Sequence, residues 1–154
     1  MPYTIRIPII NFSIVFIVFI NFLISINALK ANTLEYFKLS IDEAMNMYAV
    51  MDQIRKDNNF KSSGTMSEAQ MNRIINHARN ALNYSYKVDN DDLDKLDRSL
   101  FFKDFKKKYD SLFREGLTLL IKCYDSFDTK ICKKSDKLLN KWGDYYTEFR
   151  EKIF

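Results

Sequence analysis

Leu34, Phe37, Ile41, Ala44, Tyr48 and Met51 recur at alternating spacings of three and four residues, which places them on one stripe of a helix. The stripe predicts a first amphipathic helix over 33–57, opened by the cap candidates Asn32 and Thr33. It is closed by Asp57-Asn58-Asn59-Phe60-Lys61-Ser62-Ser63-Gly64, the most loop-like stretch of the chain. Thr65-Met66-Ser67-Glu68 then reads as a capping box, in which the Thr hydroxyl and the Glu carboxylate reciprocally satisfy free backbone amides. Met71, Ile74, Ile75, Ala78 and Leu82 give the second helix its apolar face.

Val88-Asp89-Asn90-Asp91-Asp92 interrupts the pattern and sets acids where the next helix dipole begins. From Leu93 the stripe continues through Leu96, Leu100, Phe101, Phe105, Tyr109, Leu112, Phe113, Leu117, Leu120, Ile121 and Tyr124. That is long for one helix and predicts a bend or break near Arg98-Ser99 or Gly116. A last helix over 129–153 carries Ile131, Ser135, Leu138, Trp142, Tyr145, Phe149 and Ile153. Both prolines, Pro2 and Pro8, precede all of these elements, and only three glycines occur in the chain. A strand-and-turn architecture is hard to build from such a composition. The expected fold is all-α, an antiparallel bundle of four to five amphipathic helices.

The N-terminal pattern is different in kind. From Ile7 to Leu29 there is no charged residue, and the run Ile14-Val15-Phe16-Ile17-Val18-Phe19-Ile20 leads into Ser25-Ile26-Asn27-Ala28. Apolar core followed by a small residue at a cleavage position is the order of a secretory signal peptide, assigned to 1–28, with residues 29–154 as a single helical domain. The alternative is a retained signal anchor, since the run approaches the ~20 residues a bilayer span requires. Asn11, Asn21 and Asn27, and the lack of a flanking basic cluster, weigh against it. Either way the helical part is expected outside the cytosol, as a secreted, extracellular protein.

Compartment decides how the two cysteines are read. Cys123 and Cys132 are too few for a structural zinc site, His77 is the sole histidine, and the C-x-x-C redox spacing is absent. In an oxidising compartment an even pair is most simply a disulfide, here pinning the hairpin between the third long helix and the last. Asp89-Asn90-Asp91-Asp92-Leu93-Asp94 begins like a calcium loop. The sixth and twelfth positions hold Asp94 and Leu100 where Gly and a bidentate Glu are required, so the acids read as caps. No cofactor or metal is expected.

Candidate chemistry is sparse. No G-x-S-x-G, P-loop or H-E-x-x-H motif occurs, and His77 reads as a boundary histidine. The chain carries a net charge of +4, with one lysine cluster at Lys103, Lys106, Lys107 and Lys108 and another at Lys130, Lys133, Lys134, Lys137 and Lys141. The first is a candidate anionic-surface patch. Because Phe105 and Tyr109 belong to the buried stripe and Asp104 and Asp110 dilute the charge, both clusters read as solvated helix faces, and no nucleic-acid partner is expected. Asn83-Tyr84-Ser85 is an N-glycosylation sequon that puts a candidate glycan on Asn83.

These readings leave a non-enzymatic protein that binds a protein partner, with membrane contact only if the N-terminal segment is retained. Tyr84, Tyr86 and Tyr146, aromatic beyond the needs of a core, point to a binding surface. The heavy use of Asn, Lys, Ile, Phe and Tyr, with a signal segment and a small helical body, resembles the short secreted effectors of parasites and plant-feeding insects. The likeness implies action on a host molecule. The alternative is a carrier enclosing a small apolar ligand between Met45, Met71, Phe105 and Trp142.

Overall fold

The computed structural model describes residues 31–57, 66–97 and 104–153. The signal segment and the hinge expected at Arg98-Ser99 both lie outside them. Five helices pack against one another: α1 (Ala31–Asp57), α2 (Glu68–Lys87), α3 (Asn90–Asp97), α4 (105–126) and α5 (Thr129–Ile153). The main pairings are α1 on α2 and α4 on α5, and α2 also packs on α4. No helix among the described residues is long and apolar enough to cross a membrane.

Local signals account for the helix ends. Ser67 caps α2, and Thr65 lies outside the described residues. Its backbone is extended, its hydroxyl accepts from Gln70 N at 3.2 Å, and Gln70 Oε1 accepts from Ser67 N at 2.9 Å. The reciprocal box is therefore present two residues later than the sequence pattern suggested, with Gln70 in the role expected for Glu68. Asp89 opens α3, its carboxylate accepting from Asp91 N at 2.8 Å. Residues 32 and 33 already lie inside α1, and Thr33 turns its hydroxyl to Asp92 instead of capping.

The periodic stripe of α1 is kept only in part. Ile41 and Ala44 are buried as expected, whereas Leu34 and Tyr48 are exposed and Met47, Val50 and Ile54 go inward. Ile41, Ala44, Met47, Val50 and Ile54 recur at spacings of three, three, three and four residues, closer than the alternating three-and-four repeat, so the buried face moves round the helix away from the expected stripe.

Gly116 does not break α4, which runs through it with helical geometry. The irregularities lie earlier. Asp104 starts α4 from a left-handed conformation, φ 63°, and Tyr109–Arg114 form a π-helical turn. The wider turn shifts the phase, and Phe113 and Arg114 are both buried.

Tyr109 sits in the middle of the core. Its ring centroid is 5.5 Å from Phe37, 5.9 Å from Phe105, 5.2 Å from Phe113 and 5.6 Å from Trp142, spacings at which offset and edge contacts add to area burial. Ile74, Ala78, Leu117, Leu120 and Leu139 extend the core along the bundle. Where α4 meets α5, Gly116 allows close approach. A methyl group there would stand 2.8 Å from Leu139 Cδ2 and 2.9 Å from Cγ, and the Gly116 carbonyl accepts from Ser135 Oγ at 2.9 Å.

Candidate functional site

The tip joining α4 to α5 is held by a disulfide and by two helix caps. Cys123 in the last turn of α4 and Cys132 in the first turn of α5 form a disulfide with a Cα separation of 4.9 Å, within the span the bond requires. Between them Phe127 ends α4 in the left-handed region, φ 53° and ψ 25°, donating its N–H to the Cys123 carbonyl. Asp128 then caps α5, its carboxylate accepting from Lys130 N at 2.7 Å and Ile131 N at 3.3 Å. Phe127 is 71% exposed, more than any other large apolar side chain among the described residues.

α5 carries a row of lysines away from this tip. Lys130, Lys133, Lys134, Lys137 and Lys141 are all exposed, and their spacing puts them on one face, opposite Ser135, Leu139 and Trp142. Lys134 pairs with Glu115 at 2.7 Å. The other four make no ion pair among the described residues. Asp136 lies off this row, beside Tyr48, Tyr124 and Arg55, and burial holds its carboxyl above the usual carboxylate range.

The first lysine cluster is spent differently. Lys106 bonds Asp94 at 2.6 Å and Lys108 sits 4.1 Å from the Tyr145 ring centroid, while Lys107 is exposed. Lys103 lies outside the described residues. Two of the four lysines, Lys106 and Lys108, are thus directed to separate internal partners.

His77 Nδ1 lies 2.6 Å from Glu43 Oε2, joining α2 to α1. It faces a groove of about 390 Å³ lined also by Asn46, Val50, Gln53, Ile54 and Arg73. Gln53 donates to Asp57 at 2.7 Å. The described lining contains no serine, threonine or cysteine that a histidine base would activate.

Of the four residues considered for a carrier cavity, Phe105 and Trp142 meet at 6.1 Å inside the aromatic core. Met71 is half-buried and Met45 is 59% exposed. Asn83 is exposed on α2, but Ser85 of its sequon is fully buried with its hydroxyl on the Leu82 carbonyl. Two acids of the calcium-like stretch are likewise engaged. Asp92 is buried and accepts from Thr33 and Lys95, each at 2.7 Å, and Asp94 holds Lys106.

Sequence reasoning placed Ser135 on a buried stripe but missed other buried polar groups. The Arg114 guanidinium is nearly enclosed, bonded to Asp110 at 2.6 Å and to the Ser85 carbonyl, and lies 4.8 Å and 5.2 Å from the centroids of Tyr109 and Tyr86. Its Nε is buried without a hydrogen-bond partner. Ser40 meets the Tyr109 hydroxyl at 3.0 Å. Ser40, Asp92 and Arg114 each adjoin a stripe residue, a position the periodic pattern assigns to solvent, and only the pairing of distant partners marks them. No family model matches the chain, and no curated protein or solved structure matches it either.

Proposed function

We propose that the protein is a small secreted, non-enzymatic helical protein that acts by binding a partner, in the manner of an effector. The observation that carries this reading is the Cys123–Cys132 disulfide, since such bonds persist in oxidising compartments and the chain opens with an apolar run of signal-peptide order. The disulfide spans the turn between two helices and leaves Phe127 outside the core, an arrangement suited to presenting a contact surface rather than to bond chemistry. Tyr86, 62% exposed over the Arg114 guanidinium, adds a second aromatic contact of the kind enriched at interfaces.

Expression of the full chain in a secreting eukaryotic cell tests the reading. The species in the medium is expected to begin near Leu29 or Asn32 and to contain no free thiol. Recovery solely as an uncleaved, membrane-embedded form would overturn it.

A further inference from the structure

We propose that the α4–α5 hairpin docks on the surface of an anionic lipid bilayer, with Phe127 inserted at the headgroup boundary and the α5 lysines on the phosphates. This goes beyond the binding reading above and stands independently of whether the N-terminal segment is removed.

The case begins with the cost of Phe127. A C-terminal cap in the left-handed region is normally glycine, because a side chain there is strained, and a bulky residue at positive φ is an outlier. Phe127 holds φ 53° and leaves 71% of its surface in water. Neither the backbone nor the core gains from an aromatic ring at this position, and strain kept without structural return points to function. The disulfide at 123 and 132 fixes the tip, so little ordering entropy remains to be lost on docking.

Charge selects the occupant. Behind the tip, Lys130, Lys133, Lys137 and Lys141 form an exposed row without ion-pair partners among the described residues, and Lys134 has the exposed Glu115. The acids nearest Phe127 are engaged. Asp128 caps α5 and Asp125 faces Arg79 at 3.9 Å. The row ends where Asp144 enters the same face. An exposed ring beside a lysine face combines the two signals of peripheral attachment, an apolar anchor at the acyl boundary and ammonium groups on anionic headgroups. A convex tip suits a deformable bilayer, which needs no preformed pocket.

The test uses the full chain with vesicles of phosphatidylcholine alone or mixed in equal parts with phosphatidylserine. The readout is the increment that phosphatidylserine adds, which cancels any charge-independent binding by the apolar N-terminal run. Each lysine near the surface is worth roughly a factor of five. Reversing Lys130, Lys133 and Lys137 together to Glu should therefore lower the increment by more than about a hundredfold.

The emission of Phe127→Trp should shift to the blue with the mixed vesicles only, over the constant background of buried Trp142. Phe127→Gly should weaken association severalfold while raising the melting temperature by a few degrees, a separation that a purely structural role for the ring cannot produce. Equal binding to both vesicles overturns the proposal. So does lysine-dependent binding with an unmoved Phe127→Trp emission, which would make the row a surface for polyanions in general, nucleic acids included.

Discussion

Two glycines on neighbouring helices illustrate how far a single methyl group depends on its surroundings. At Gly116 the added carbon would press on Leu139, which is itself buried. Overpacking costs about 1–3 kcal/mol, and the better helix propensity of alanine returns ~1 kcal/mol. At Gly143 nothing lies within 4 Å of the same position, and only the propensity gain remains. Gly116→Ala is expected to lower stability by about 1 kcal/mol and Gly143→Ala to raise it by ~0.5–1 kcal/mol, read as opposite shifts of the urea midpoint at constant slope. Two shifts of the same sign would show that the α4–α5 contact is looser than the geometry indicates.

Among the elements, the α4–α5 hairpin was the most legible in the sequence. Spacing of the cysteines, the polar turn between them and the stripes on either side all agree, and the disulfide is present. In the chain-entropy model, closing this short loop contributes about 2.5–3 kcal/mol. Replacing Cys123 and Cys132 together by Ser should therefore lower the melting temperature by on the order of 10 °C while leaving the far-ultraviolet helical signal in place. An unchanged melting temperature would show that the bond contributes nothing to the hairpin. Less was legible where phase decides. The second half of α1 turns Met47, Val50 and Ile54 inward, a rotation of the buried face that an alternating three-and-four repeat does not carry. The π turn at Tyr109–Arg114 has no local composition signal; it coincides with the packing of Tyr109 and Phe113 against Trp142. The tip was legible as a turn, but Phe127 was not legible as a contact, because backbone handedness and exposure are tertiary facts.

For the molecule as a whole, the core is closed around an ionisable group. Burial is the main cause that pushes the Tyr109 phenol up to about 12, against the opposing influence of its bond to Ser40 and of Arg114. Tyr145 is raised to about 12 as well, again chiefly by burial. Because the folded state holds these protons more tightly than the unfolded chain, their contribution is fully present below pH ~10 and is lost as the pH rises towards 12. At ~1.4 kcal/mol per pH unit, Tyr109 alone accounts for on the order of 2–3 kcal/mol. Alkaline titration should give one transition in this window, with loss of helical circular dichroism coincident with the late phenolate absorbance. Complete phenolate formation near the ordinary tyrosine range with helices intact would contradict it.

The disulfide also turns residues 123–132 into a covalent ring, with Phe127 on its outer side. An exposed aromatic in a turn is an inviting target for a protease that cuts beside such residues. Hydrolysis there would open the ring but not divide the molecule: α5 would stay tethered through Cys132 and seated by Leu139 and Trp142. The most accessible cleavage point of the hairpin is thus the one at which a cut releases nothing.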